Sequence, residues 1–214
     1  MKPRHNLKTR LISASSTNAI AQALEVLHAG GLVAFPTDTV YGVGTLAFNG
    51  FAVESIYLAK DRPIEKAIPV LIGDTVDLEK VSDDIPDVIH KLASLFWPGP
   101  LTVLVPKKPA LPEAVSATAT VGVRVPDHEV ARSLLHIAGP MAVTSANTSG
   151  ESNPVTAQEV YQQLQGRIEL IIDGGKTPGG VPSTLVDCTT PQLKILREGP
   201  ISLDELLSAL SNSP

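Results

Sequence analysis

One cysteine, Cys188, stands in a chain of 214 residues. That excludes an intramolecular disulfide and any multi-thiolate metal centre; a lone thiol fits a reducing cytoplasm, with a buried strand as its expected place. The five histidines, at 5, 28, 90, 128 and 136, show no paired ligand spacing with acids or thiols, so no protein-built transition-metal site is expected. Aromatic residues make up only 4% of the chain, and 17 Lys plus Arg face 22 Asp plus Glu, a net charge of −5. Neither the stacking platforms nor the overall basic field of a nucleic-acid binder is present, although a local basic cleft is compatible with both figures. No stretch approaches the roughly 18 uninterrupted apolar residues of a membrane-spanning helix. The N-terminal MKPRHNLKTRLISASS lacks the apolar core of a signal peptide. No G-x-S-x-G elbow and no Ser-His-Asp or Cys-His arrangement occurs, which gives covalent catalysis no foothold. The expectation is a soluble, cytoplasmic protein.

What is present is a large supply of core. At 43% hydrophobic residues the chain can bury one sizeable domain, read as residues 1–214, with 1–14 a flexible or edge-strand arm. Short apolar runs predict strands at Leu32–Phe35, Val43–Phe48, Ile68–Ile72, Leu101–Val105, Thr120–Val125, Met141–Thr144 and Glu169–Ile172. Thr184–Asp187 and Leu193–Leu196 read as a terminal hairpin or paired strands. Helical spacing predicts helices after Ser16 or Thr17, from Ala52, around Thr75–Val81, and over Pro86–Phe96, Asp127–Ile137, Thr156–Leu164 and Ser202–Leu210. Several strand pairs lack an intervening helix. The fold class is therefore α/β with a mixed, twisted sheet flanked by helices.

The densest stretch is Gly31–Arg62. Gly42-x-Gly44-x-x-Ala47 imitates a dinucleotide fingerprint, with Asp61 as its acid, but PTDTVY separates the strand from the glycines and no helix opens there. Gly175-Lys176-Thr177 imitates the end of a P-loop; the required earlier glycine is Leu170, and Pro178 blocks the following helix. The segment Gly174–Gly180 reads either as a mobile loop over a site or as plain surface loop. More telling is Lys60-Asp61-Arg62-Pro63. Lys60 lies four and seven residues beyond Ile56 and Val53, on the inward face of its helix, and two cations at a helix end suit a polyphosphate. The polar loop Thr144–Gly150 follows a strand, where α/β proteins bind ligands. Thr37, Arg124, Arg197 and Ser183-Thr184 mark further strand ends, which suggests one composite pocket.

FPTDTVYGVG, the K-x-R of Lys60 and Arg62, FWPGPLTVLV, VGVRVPDH, TSANTSG, PSTLVD and ILREG together resemble the YrdC/Sua5 family of L-threonylcarbamoyladenylate synthases, over roughly residues 15 to 205. The resemblance implies a YrdC-like fold with a deep cleft. It also implies a reaction joining L-threonine, bicarbonate or CO₂, and ATP into threonylcarbamoyl-AMP and pyrophosphate, for t⁶A modification of tRNA. By motif, Lys60 and Arg62 match the catalytic phosphate clamp. ATP contacts fall to Lys60, Arg62, Thr120, Ser145, Asn147 and Arg197, and threonine contacts to Thr37, Arg124, Thr144 and Ser183. Mg²⁺ is expected to arrive with ATP, held mostly by phosphate and water. Expected partners are the three substrates, a hand-off to the threonylcarbamoyl-transferase complex acting on tRNA, and weak tRNA binding at most. The longer Sua5 members often carry His where this chain has Leu71, and they add a C-terminal domain; both differences point to the short YrdC-like type. Two other readings stand beside this one: an RNA-binding module using the same cationic cleft, and a carbamoyl-transfer domain of the hydrogenase-maturation type.

Overall fold

Residues 32–35 alternate between two hydrophobic cores, and that alternation explains the layering of the molecule. Leu32 and Ala34 pack into one cluster while Val33 and Phe35 pack into another, as a strand covered on both faces must. The computed structural model describes residues 7–190 and 192–211. Along these run ten strands: β1 (Arg10–Ser13), β2 (Val33–Phe35), β3 (Gly42–Leu46), β4 (Val70–Leu71), β5 (Leu101–Pro106), β6 (Thr120–Arg124), β7 (Met141–Ser145), β8 (Leu170–Asp173), β9 (Thr184–Asp187) and β10 (Lys194–Arg197). Six helices accompany them: α1 (Ala19–His28), α2 (Gly50–Lys60), α3 (Asp87–Phe96), α4 (Glu129–Ala138), α5 (Ala157–Leu164) and α6 (Leu203–Ser211).

The strands form one sheet in the order β1-β8-β2-β3-β7-β4-β6-β5-β9-β10. β8 pairs in parallel with β1 and β2, β4 with β6, and β5 with β9. The pairs β2-β3, β3-β7, β4-β7, β5-β6 and β9-β10 are antiparallel. The mixed sheet expected from unbridged strand pairs is what forms. One core cluster joins α1 and α4 to the sheet through Leu27, Phe35, Leu134, Leu135, Met141 and Leu170. The other joins α2, α3, α5 and α6 through Val53, Ile56, Leu92, Val160 and Leu206. β1 lies at the sheet edge; residues 1–6 of the expected N-terminal arm fall outside the described residues.

Local departures from the sequence reading have local causes. Helix α1 starts at Ala19 with Asn18 in the capping position; Ser16 Oγ bonds Asn18 Oδ1 at 2.7 Å rather than a helix N–H. The helix expected near Thr75–Val81 is a 3₁₀ turn, Thr75–Lys80, opened by an Asp74/Asp77 capping box. Gly42 and Gly44 serve sheet packing across β7: a Cβ on Gly44 would stand 2.4 Å from the Ala142 carbonyl oxygen, and one on Gly42 2.7 Å from Val143 Cγ1. Cys188 is buried just beyond β9, and burial pushes its thiol up to about 12. No helix of the described residues is long and apolar enough to cross a membrane.

Candidate active site

Where β2 ends, Pro36 and a Thr-Asp-Thr turn lead back into β3, and this turn forms one wall of a cleft of about 220 Å³. Thr37, Thr39 and Val40 line it from the turn and Gly42 from the start of β3; Pro69 from just before β4 and Leu71 from β4; Arg124 from β6; Val143, Thr144 and Ser145 from β7. Thr102, Asn153, Pro182, Ser183 and Arg197 close it. Thr37, Arg124, Thr144, Ser145, Ser183 and Arg197, scattered over 160 positions of sequence, therefore meet in one place. The other expected site residues do not line it.

The turn is held by its own hydroxyls. Thr37 Oγ1 donates to the Val40 carbonyl at 2.7 Å and accepts from the backbone N–H of Thr39 at 3.2 Å. Thr39 Oγ1 accepts from Arg124 Nη1 at 3.1 Å, while Arg124 Nε donates to the Gly99 carbonyl at 2.9 Å and Nη2 bonds Asp38 Oδ1. The same Asp38 oxygen accepts from the Asp127 N–H at 3.1 Å, tying the turn to the entrance of α4. Burial holds the Arg124 guanidinium below its ordinary pKa, and the Asp38 charge works in the opposite direction.

Opposite this wall, Arg197 Nε and Nη2 grip the Ser183 carbonyl at 3.0 and 2.9 Å, and Nη2 also reaches Ser183 Oγ at 3.0 Å. Ser183 Oγ in turn shares a 2.7 Å hydrogen bond with Thr102 Oγ1. Burial first, then the charges of Arg124 and Arg62, lower the Arg197 pKa. Three guanidiniums thus share one field, and among the described residues Asp38 is the one carboxylate ion-paired to any of them. Arg62 is anchored by Nε to the Lys66 carbonyl at 3.1 Å and by Nη2 to that of Ala67 at 2.8 Å.

Lys60 departs from expectation. Its inward phase is real, at 1% exposure. Its Nζ, however, bonds the backbone carbonyls of Ser145 and Asn147 instead of opening onto the cleft. Burial, with Arg62 adding to it, pushes its pKa down to about 7. Asn147 is likewise turned into its own loop: Nδ2 donates to the Thr148 and Glu151 carbonyls, both at 2.9 Å. Thr120 also stands away from the cleft lining. Thr120, Gly122 and Arg124 alternate onto one face of β6, so Thr120 lies about 13 Å from Arg124 along the strand. Asp61, the acid of the dinucleotide motif, adopts a left-handed conformation (φ 51°) and pairs with Arg167 at 2.5 Å.

Sequence reasoning missed Thr39 and Thr102 and gave Asp38 no role. A signal existed for the first two: Thr39 repeats the Thr37 position two residues on, and Thr102 is a hydroxyl inside an apolar strand. Asp38 could not be told from an ordinary turn acid without Arg124, 86 residues away. Among the described residues no group of three or more His, Cys, Asp or Glu is placed to hold a metal ion.

The Sua5/YciO/YrdC family model, described as "Telomere recombination", matches residues 25–199. A threonylcarbamoyl-AMP synthase of Bacillus subtilis is 43% identical over 196 residues, spanning 89% of this chain and 57% of its own length. Its counterpart from Pyrococcus abyssi is 42% identical over 182 residues, spanning 84% of this chain and 54% of its own. The chain therefore spans little more than half the length of these relatives. The crystal structure of P. abyssi Sua5 complexed with L-threonine superposes with a TM-score of 0.89 at 38% identity, over 94% of this chain and 60% of that one. With a family model covering most of its length, this chain belongs to the Sua5/YciO/YrdC family.

Proposed function

We propose that this protein is an L-threonylcarbamoyladenylate synthase, a nucleotidyltransferase that joins L-threonine, bicarbonate or CO₂, and ATP into threonylcarbamoyl-AMP and pyrophosphate. The observation that carries the reading is the meeting of Arg124 and Arg197 in one hydroxyl-lined cleft, with the Arg62 charge acting on Arg197 from outside the lining and, among the described residues, Asp38 the one carboxylate ion-paired to any of the three. A triphosphate together with an amino-acid carboxylate answers that positive excess. The names of the relatives and the threonine complex of P. abyssi Sua5 support the same choice.

In this reading Arg124 keeps Asp38, Thr39 and Gly99 on three of its five N–H groups and offers the remaining two to the threonine carboxylate. Thr37, Thr144 and Ser183 orient the amine and the side-chain hydroxyl. The uncharged amine adds to CO₂, forming a C–N bond and releasing one proton to solvent. A carbamate oxygen then attacks the α-phosphorus, the bond from that phosphorus to the bridging oxygen breaks, and pyrophosphate leaves. Alignment and charge neutralisation dominate such a displacement, and no protein nucleophile is required. Arg62 and Arg197 face the phosphates, Ser145 and the loop built around Asn147 receive the nucleotide, and Thr120 lies further along the same wall. Mg²⁺ is taken to arrive on ATP, held mostly by phosphate and water, with no step assigned to it. The product, a reactive mixed anhydride, would pass in the cytoplasm to the threonylcarbamoyl-transferase complex that modifies tRNA.

The test is direct: incubate the protein with ATP, Mg²⁺, L-threonine and bicarbonate, and look for threonylcarbamoyl-AMP by mass spectrometry, omitting each substrate in turn. Product formation that needs all three substrates is expected. A folded protein that yields neither this product nor pyrophosphate would sink the reading.

A further inference from the structure

Lys60 presents an energetic problem that its neighbours resolve. An ammonium at 1% exposure is costly unless each of its protons is matched, and among the described residues no carboxylate lies within ion-pair distance of it. Instead three oxygens of one loop surround Nζ: the carbonyls of Ser145 and Asn147, and Asn147 Oδ1 at 3.4 Å. An ammonium has three donors, so none remains for a phosphate. The same residue holds the loop a second time, because its own carbonyl accepts the Ser149 N–H at 2.8 Å. Asn147 completes the knot, with Oδ1 accepting from Ser145 Oγ and Nδ2 spent on two carbonyls. Of these residues only Ser145 reaches the cleft lining.

We infer that Lys60 is a positioning residue, which staples the backbone of the 145–149 loop from behind and thereby sets how Ser145 and its neighbours meet the nucleotide. Asn147 belongs to the same staple. The part of this inference that concerns the nucleotide rests on the proposed synthase reading; the part that concerns the loop does not.

Two experiments separate these parts. In the ligand-free protein, Lys60→Met should speed hydrogen exchange of the Ala146 and Ser149 amides by about tenfold or more, the loss of one charge-assisted bond, while amides of β8 keep their protection. Unchanged exchange at 146 and 149 would overturn the staple, whatever the protein does with ATP. In ATP titrations, Lys60→Met should raise Kd by about tenfold yet leave the salt dependence of binding as in wild type, whereas Arg62→Ala lowers that dependence. A Lys60→Met slope reduced as in Arg62→Ala would make Lys60 a phosphate ligand and overturn the inference. An unchanged Kd would reduce the staple to mere structure and overturn it as well. If Lys60→Met does not fold, the wild-type protein decides: the Lys60 ¹⁵Nζ resonance should stay put on saturation with a non-hydrolysable ATP analogue while the Arg62 Nε resonance moves. Movement of both by comparable amounts would again make Lys60 a ligand.

Discussion

Asp38 Oδ1 is shared between the Arg124 guanidinium and the backbone N–H of Asp127, so one carboxylate oxygen fixes both the orientation of the cleft arginine and the entrance to α4. The side chains of Arg124 and Asp38 are 6% and 13% exposed, which leaves little water to compensate either charge alone. Removing Asp38 should therefore cost more than one hydrogen bond. Asp38→Ala is expected to lower stability by about 3–5 kcal/mol, as for other broken buried pairs. Asp38→Asn, which retains an acceptor, should cost about 1–2 kcal/mol. Urea unfolding of both variants checks this; equal losses would mean that the pair acts through the charge that both variants remove and not through the acceptor that Asn retains.

Arg197 has two separable properties, its charge and its fork. Both Nε and Nη2 close on the Ser183 carbonyl, a geometry that lysine cannot reproduce. Arg197→Lys should keep the field at the phosphates and release Ser183, raising the KM for threonine by roughly tenfold with the KM for ATP within about twofold. Arg197→Ala should raise both. Initial rates with each substrate varied in turn distinguish the cases, and a Lys variant that affects ATP alone would contradict the assignment of Ser183 to threonine.

How much of this was legible beforehand depends on the range of the interaction. Apolar periodicity located the principal strands and helices, because burial on one or both faces imprints a period of 2 or 3.6 on the residues themselves. The phase of Lys60 against Ile56 and Val53 correctly placed it inside. What it meets there, the carbonyls of residues 145 and 147, carries no side-chain signature and was unreadable. The same holds for Arg124: a strand-end arginine was visible, but its partner Asp38 became one only once β2 and β6 shared a sheet. Gly44, part of the rejected dinucleotide-like spacing, answers to a carbonyl of the neighbouring strand.

Gly179 tests whether the 174–182 loop is part of the site. A Cβ there would stand 2.2 Å from the Thr39 carbonyl oxygen and 2.9 Å from its carbon, both backbone atoms that cannot rotate away. Thr39 is also the residue whose hydroxyl receives Arg124 Nη1. Gly179→Ala should lift the loop from the turn and weaken threonine binding about tenfold. The melting temperature should shift by no more than about 4 °C, since an exposed loop contributes little to global stability. Calorimetric titration and thermal unfolding of the same sample decide the matter. A large stability loss with unaltered threonine affinity would place the loop in the scaffold instead.

Tyr41 anchors the other end of that loop from a fully buried position, its hydroxyl donating to the Gly175 carbonyl at 2.7 Å and accepting from the Gly174 N–H at 3.2 Å. Burial is the main reason its pKa rises to about 12, with the Asp173 charge adding to it and the Gly174 N–H opposing it. The sign of the resulting pH effect is fixed. A phenol whose folded pKa exceeds its unfolded value near 10 keeps its proton in the native state while the unfolded chain loses it. Its stabilising contribution is therefore complete below about pH 10 and falls as pH rises toward 12, by at most about 1.4 kcal/mol per pH unit. Tyr41→Phe should cost about 1 kcal/mol at pH 8 through the two lost hydrogen bonds. It should then lose less stability than wild type between pH 9 and 11, so the two curves converge as the alkaline range is entered. Parallel curves in denaturant titrations across that range would show that Tyr41 ionises as freely in the folded protein as in the unfolded chain, and coincident curves that its hydroxyl does not hold the loop.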